Sequence, residues 1–403
     1  MISFEEARRH VLGEVSQLAE VVMDLDDAAG LVLAADVLAG APVPPFANSA
    51  MDGFAVRAAD SGVGARLAVV GTAAAGVVVD RCVGPGEAIR IMTGAPIPEG
   101  ADAVIMVERT AVDGDVVVLD GAVEVGTAVR LAGDDLRPGD VALGAGAALG
   151  PAALGVCATV DARRLTVVPR VRVGVFSTGD ELVEAPTPLG PGQIRDSNRR
   201  ALLAACVDLG CEVVDLGLVP DDPEQIRAAL LNGVAVCDAV VTSGGVSMGD
   251  FDFVKAVLDE IGDMRWMQIA IKPAKPLAVG TVRSGERTVP VFGLPGNPVS
   301  SLVSLELFAR PALRKMMGHS VLDRPRVIAT APDGLPRRPD GKIHFVRVRL
   351  SGGDGPFEVR SLPGQGSHHM AAMAAANALA VLADGEGVGA GGTCAVIPLG
   401  EPW

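Results

Sequence analysis

The chain has 403 residues, 34 basic and 49 acidic, for a formal net charge of −15. That length implies two to four domains with ample material for cores, and the acidic balance excludes general affinity for nucleic acid. There is no Tyr and no RNA-binding aromatic pattern, and only five residues are Lys, two of them in Lys272-Pro-Ala-Lys275. The six Cys (Cys82, Cys157, Cys206, Cys211, Cys237, Cys394) show neither CxxC nor a zinc spacing. Free buried thiols in a reducing compartment are therefore expected. The opening MISFEEARRH is charged and helix-like rather than a signal peptide. The longest uncharged stretch, 141–160, carries four Gly and Pro151 and reads as turn plus buried helix, not as a membrane span. A soluble, cytoplasmic protein without membrane or nucleic-acid partners is expected.

Residues 3–15 and 24–37 read as helices, the first with a Ser3/Glu6 capping box and the second capped by Asp24. Ala41-Pro-Val-Pro-Pro-Phe46 is a stiff connector. Short valine-rich runs (67–70, 77–79, 103–107, 116–119) separated by Gly, Asp and Pro then predict a β-rich module to about residue 132. Residues 132–170 return to helix-compatible Ala/Leu sequence. The expected organisation is a helical domain of residues 1–42 and 133–168, interrupted by a β-rich domain of residues 43–132.

From 169 to 318, strands and helices alternate. Strands are predicted at 171–176, 212–216, 239–242 and 289–294. Helices are predicted at 197–209, 222–231, 251–261 and from Asn297 to Met317. Alternation implies a parallel sheet covered by helices, with ligands at the C-terminal ends of its strands. Residues 319–403 show short β runs (327–330, 344–350, 357–362, 378–382, 394–398) and read as a small β domain. The fold class is thus multidomain α/β plus β, with a doubly wound parallel-sheet domain at its centre.

The motifs fall at the expected strand ends. The loop 242–250 (Thr-Ser-Gly-Gly-Val-Ser-Met-Gly-Asp) joins an apolar strand to a helix, an arrangement that turns backbone N–H groups toward an anion. It is neither a Walker A sequence nor GxGxxG, and alone it also fits ordinary α/β punctuation. Ser177-Thr-Gly-Asp-Glu-Leu182 offers hydroxyls and carboxylates, or a helix cap. Arg195-Asp-Ser-Asn198 and Val219-Pro-Asp-Asp-Pro223 fit helix starts as well as ligand contact. Carboxylates at Asp250 and Asp252, beside a loop that favours anions, call for a bridging cation such as Mg²⁺.

Lys272-Pro-Ala-Lys275-Pro276 presents two compact charges suited to phosphate or another oxyanion. Gly293-Leu-Pro-Gly-Asn-Pro-Val-Ser300 allows close backbone approach at a helix start. Elsewhere Asn48-Ser-Ala-Met-Asp-Gly53, Thr93-Gly-Ala-Pro96 and Gly133-Asp-Asp135 gather polar and turn residues. Gly364-Gln-Gly-Ser-His-His-Met370 fits a solvated turn better than a metal site. The residues alone describe a domain that binds a phosphorylated ligand with a divalent cation, and they leave the ligand unnamed.

Taken in order, SAMDGFAV (49–56), IMTGAPIPEGADAVIMVE (91–108), AGDDLRPGD (132–140), FSTGDEL (176–182), IRDSNRRAL (194–202), VTSGGVSMGDFD (241–252), IKPAKPL (271–277) and GLPGNPVSS (293–301) resemble the molybdopterin molybdenumtransferase family, which comprises bacterial MoeA and the gephyrin E domain. The resemblance implies a MogA-like central domain and an elongated homodimer whose site lies between that domain of one subunit and the inserted β domain of the other. It implies Mg²⁺-dependent conversion of adenylylated molybdopterin and molybdate into molybdenum cofactor and AMP. The adenylyltransferase and acceptor molybdoenzymes are the implied partners.

By motif position, Glu181, Asp221 and Asp252 would serve the metal and the phosphoanhydride, and Lys272 and Lys275 phosphate or molybdate. Ser243, Gly244, Gly245 and Ser247 would cradle the pterin phosphate. Ser177, Thr178, Gly179, Asp180, Ser197, Asn198, Pro295, Gly296 and Asn297 would line the same site. Asp52, Thr93 and Asp135 would come from the first two domains, and Arg347 and Ser367 from the last. The chain departs from the family pattern at Ala274, where Gly is usual, at Gln268, where some relatives carry Lys, and at Ser367-His-His369. Two other readings share these motifs: an adenylyltransferase that makes the intermediate, and a binding or scaffold protein that keeps the fold.

Overall fold

The computed structural model describes residues 1–245, 253–352 and 355–400. The chain forms two compact units. One comprises Met1–Val21, Gly30–Ala34 and the chain from Thr166 onward; the other comprises Val22–Ala29 and Ala35–Leu165.

In the first unit a six-stranded sheet runs in the order Glu212–Val219, Arg172–Thr178, Ala239–Ser243, Arg287–Leu294, Pro276–Ser284, Gly262–Gln268. The first four strands are mutually parallel and the last two antiparallel, so the sheet is mixed rather than wholly parallel. Of the two missed strands, Gly-Asp-Met-Arg-Trp-Met-Gln lacks a continuous apolar run and follows a helix without a break, and the second, apolar over Leu277-Ala-Val279, begins inside the lysine motif.

Alternate residues serve opposite faces. Val173, Val175, Val241 and Phe292 meet Leu202, Val299 and the first helix, Phe4–Gly13, through Phe4, Ala7 and Val11. Phe176, Val240 and Val291 meet Ile226, Leu230, Val254 and Leu258. The strand order reverses direction around Arg172–Thr178, whose neighbours are Glu212–Val219 and Ala239–Ser243. The crevice at the C-terminal ends of such strands is where open α/β sheets bind ligands.

The expected long helix from Asn297 is three pieces: Pro298–Ser304, a π turn Leu305–Ala309, and Arg310–Met316. Pro311 explains the break, because it has no N–H to give and its ring crowds the preceding turn. Further on, Val327–Ala331, Ile343–Ser351, Glu358–Ser361, Ala378–Leu382 and Gly392–Pro398 close into a barrel, since Ile343–Ser351 pairs with both Glu358–Ser361 and Ala378–Leu382. Ile271–Lys272 adds to this sheet in parallel, Lys272 facing His344 in register.

The second unit holds a six-stranded sheet ordered Ala103–Met106, Gly53–Val56, Glu87–Ile91, Arg66–Ala73, Val116–Leu119, Thr110–Asp113. Both faces are buried, Phe54, Val56 and Ile105 on one side and Ala55, Ile89 and Val104 on the other. Val77–Val79 is not a strand. Residues 24–37 are not a helix either: they hold a short 3₁₀ turn, Leu25–Asp27, and the strands Val32–Leu33 and Val37–Leu38. Gly30 in their midst sits at φ +77°, which no helix interior accommodates. Between 132 and 170 only Pro151–Thr159 is helical, because Gly133, Gly139 and Gly146 also take positive φ.

Candidate functional site

Two cavities adjoin at the C-terminal ends of the parallel strands of the first unit, with Pro276 and Asn297 lining both. The larger is about 780 Å³. Its floor is built where Arg172–Thr178 and Ala239–Ser243 end side by side, Ser177 opposite Ser243 in register. Thr178 Oγ1 donates to Asp221 Oδ1 at 2.6 Å, and the Asp221 amide donates to Asp180 Oδ1 at 3.1 Å. These bonds tie the ends of two neighbouring strands together and fix the Asp221 carboxylate in the cavity lining that also carries Glu181.

Asn198 closes the opposite wall. Its Nδ2 donates to Ser243 Oγ at 2.7 Å and to the Gly296 carbonyl at 2.6 Å, joining a helix start to two loops. Ser197 is the cap residue of the helix Asn198–Asp208 but makes no side-chain cap bond. Asp196 does that work, accepting from the Arg199 amide at 3.2 Å and from its Nε at 2.9 Å. Arg199, 2 % exposed, also donates to Glu184 and Asp215, so one buried guanidinium pins this turn against two further segments.

Gly244 is required twice over. Its φ is +101°, and a Cβ there would stand 2.8 Å from the Thr178 carbonyl oxygen. The wall carries Glu181 and Asp221 as acceptors and the hydroxyls of Ser197 and Ser243, Ser197 standing at the N-terminus of an eleven-residue helix, while the Gly244 amide is given to the Leu294 carbonyl at 3.1 Å.

The smaller cavity, about 360 Å³, is lined by Lys272, Lys275 and Lys342 together with Asn297, Ser300 and Ser367. Three of the chain's five Lys thus meet in one place in a molecule of net charge −15. Lys272 and Lys275 have no carboxylate within ion-pair distance among the described residues. Ala274 between them is buried at φ +72°, a conformation suited to Gly, so the departure noted at this position carries backbone strain. Gln268 is not among the lining residues.

Arg347 is placed differently from the expectation of ligand contact. It is 1 % exposed and lines neither cavity. Its Nη2 donates to the carbonyls of Gly364 and Gly366, at 2.6 and 3.1 Å, and Gln365 bonds its backbone from both sides. It therefore holds the loop that presents Ser367 to the smaller cavity and His368 to the larger. Burial lowers the Arg347 pKa.

Of the other expected residues, Thr178, Gly179, Glu181, Ser197, Asn198, Asp221, Ser243, Gly244, Gly245, Pro295, Gly296 and Asn297 line the larger cavity. Ser177 is buried and its hydroxyl has no partner among the described residues, and Asp180, which is not in the cavity lining, accepts from the Asp221 amide. Ser247 and Asp252 lie outside the described residues. In the second unit Asp52 accepts from the Thr93 amide (2.6 Å) and hydroxyl (2.7 Å), which holds its carboxyl below the usual range, and Asp135 is exposed. Arg195 and His368 of the larger cavity and Ser300 of the smaller fall in segments singled out in the sequence without a role of their own, whereas Phe253 and Lys342 were not anticipated. Only the scarcity of Lys could have singled out Lys342.

Comparison with known proteins gives one pattern along the whole chain. Residues 2–160 match the family model for the MoeA N-terminal region (domain I and II), residues 174–315 that for the probable molybdopterin binding domain, and residues 329–399 that for the MoeA C-terminal region (domain IV). The chain is 37 % identical over 402 residues to a molybdopterin molybdenumtransferase of Haemophilus influenzae, covering 99 % of this chain and 98 % of that one. It is 39 % identical over 390 residues to molybdopterin molybdenumtransferase 2 of Mycobacterium tuberculosis, covering 94 % and 95 %. The crystal structure of a molybdopterin biosynthesis MoeA protein from Pyrococcus horikoshii superimposes with a TM-score of 0.83 at 27 % identity, over 99 % of this chain and all of that one.

Proposed function

Because the chain belongs to the molybdopterin molybdenumtransferase family, we propose a division of its two adjoining cavities between the two substrates of that activity. The protein is a molybdopterin molybdenumtransferase of molybdenum cofactor biosynthesis. In our reading the larger cavity takes adenylylated molybdopterin and the smaller takes molybdate. The phosphoanhydride lies at Glu181 and Asp221, where water cleaves it to AMP and the pterin phosphate, and molybdate bonds to the pterin dithiolene with its displaced oxygen leaving as water.

The observation that carries this reading is the shared wall at Asn297 and Pro276, which sets a wall rich in oxygen acceptors against a pocket of three lysines, two of them without a carboxylate partner among the described residues. Lysine ammonium groups suit a compact oxyanion. Hydroxyls, exposed amides and a helix start suit phosphate.

The donor set also fits Mg²⁺. Among the described residues no three His, Cys, Asp or Glu gather as a closed metal site. Mg²⁺ does not need one, since it keeps several waters and takes one or two carboxylates plus substrate phosphates. Glu181 and Asp221 would hold it, with Thr178 fixing the Asp221 carboxylate. When bound, the ion would neutralise charge that builds on the phosphates as the anhydride breaks. The chain's own residues do the rest: Asn198 and Gly244 hold the larger cavity's shape, and Lys272 and Lys275 draw the oxyanion to the shared wall. Homodimerisation, a cytoplasmic setting and delivery to acceptor molybdoenzymes belong to the same reading.

Single-turnover incubation with adenylylated molybdopterin and Mg²⁺ tests it. AMP release that depends on molybdate, together with activation of an apo-molybdoenzyme, is the expected result. An intermediate that binds yet stays intact with molybdate and Mg²⁺ present would overturn the assignment.

A further inference from the structure

Lys342 lines the smaller cavity with Lys272 and Lys275 but differs from them in having a carboxylate partner. Its Nζ lies 3.3 Å from Asp340 Oδ2. Asp340 is heavily shared: Arg337 Nη2 approaches Oδ1 at 2.8 Å, and His344 Nε2 lies 3.1 Å from both oxygens. Arg337 is also held by Asp384 at 2.8 Å and by three backbone carbonyls, so it does not depend on Asp340 alone. The Lys342 contact is the longest at this carboxylate, and both partners are partly exposed, at 23 % and 30 %. Such pairs hold loosely.

Backbone geometry aims Lys342 at the pocket. It directly precedes the strand Ile343–Ser351, two residues before His344, which places the two side chains on the same face. His344 is the register partner of Lys272, and the Ile343 amide bonds the Ala270 carbonyl at 2.9 Å. The two lysines are thus anchored on adjoining hydrogen-bonded strands, on flexible four-carbon stems.

We propose that Lys342 is a third ligand of the oxyanion, parked on Asp340 until the anion arrives and then turned into the pocket. This rests on the reading of the smaller cavity as the molybdate pocket and adds its specificity-determining third charge. A dianion flanked by Lys272 and Lys275 is a stronger attractor than a carboxylate already shared with Arg337 and His344. Three ammonium groups around one pocket favour a doubly charged tetrahedral oxyanion over a singly charged one.

The test compares wild type with Lys342→Met, Lys342→Arg and Lys272→Met in two assays: equilibrium dialysis with molybdate alone, and AMP release as a function of molybdate. Lys342→Met is expected to raise the dissociation constant and the KM for molybdate about tenfold, the loss of one charge-assisted hydrogen bond. The maximal AMP release rate should stay within about threefold and Lys342→Arg should recover most of the affinity, a split that a merely structural role would not produce. Wild-type molybdate affinity in Lys342→Met, with affinity lost in Lys272→Met, would overturn the proposal and leave the pocket assignment standing. Wild type that neither binds molybdate nor responds to it would overturn both. Unfolding midpoints of the variants, compared with wild type, separate loss of the contact from loss of the fold.

Discussion

The two cavities share a wall but are built on opposite principles. The larger is shaped by backbone and short polar side chains at strand ends, several of them tied by hydrogen bonds, as in Thr178 to Asp221 and Asn198 to Ser243. The smaller is shaped by lysines, two of them without a carboxylate partner among the described residues, around a buried non-glycine residue at positive φ. In one, polar groups are already tied to one another before any ligand arrives; in the other, two ammonium groups stand ready for the charge of a ligand. The difference teaches where ordering happens: a large flexible substrate needs a preformed mould, whereas a small rigid anion can order the side chains that receive it.

The strongest attempt to break this division acts on the carboxylate wall. Glu181→Gln and Asp221→Asn should each cut AMP release by about a thousandfold or more, in the range of lost transition-state charge stabilisation, while molybdate binding by dialysis stays unchanged. Near-wild-type release in Glu181→Gln would remove the carboxylates from the chemistry. Next, Lys272→Met should lower the efficiency of molybdate use by about a hundredfold, with affinity for the adenylylated pterin retained. If that affinity falls in parallel, the cavities are not separate.

Backbone substitutions sharpen the contrast with opposite signs. Gly244→Ala should destabilise the fold by about 1–3 kcal/mol and weaken binding in the larger cavity, since its φ is +101° and its Cβ would collide with the Thr178 carbonyl. Ala274→Gly should stabilise by roughly 1 kcal/mol or less, because φ +72° suits glycine. Denaturant midpoints check both.

The smallest effect is a pH dependence. Burial would raise the Asp340 pKa, but donation from His344 and Lys342 outweighs it and holds the carboxyl at about 2. A depressed folded pKa supplies stability above the unfolded value of about 3.9, and that stability drains away as pH falls toward 2. The gap in unfolding midpoint between wild type and Asp340→Asn should therefore be constant above pH 5 and close below pH 4.

Much of the larger cavity was legible in the sequence because its determinants are local. An apolar strand followed by Ser-Thr-Gly or Ser-Gly-Gly announces a strand end with a turn, and the hydrogen bonds that follow span neighbouring strands. The smaller cavity was half legible: Lys272 and Lys275 lie in one motif, but Lys342 joins them only through the pairing of Ile271–Lys272 with Ile343–His344, a contact 72 residues apart in register that no local pattern records. Arg199 was not singled out and Arg347 was read as a ligand contact, yet both are buried clamps, because burial of a long cation depends on what the rest of the chain wraps around it. The segment 24–37 misled for the converse reason, since helix-compatible residues surround a glycine whose φ forbids the helix.

That same seam of parallel pairing, Ile271 to Ile343 and Lys272 to His344, makes the lysine segment part of the barrel's sheet. Phe345, Leu379 and Ile397 of the barrel also sit in one apolar cluster with Val173, Val241 and Phe292 of the α/β sheet. The backbone that carries Lys272 and Lys342 therefore cannot drift while the barrel stays folded, and the barrel cannot open without dissolving the pocket. In amide hydrogen exchange, Ile271, Lys272 and Ile343 should share one slow opening event with the sheet core, a latch whose release is the unfolding of the unit itself.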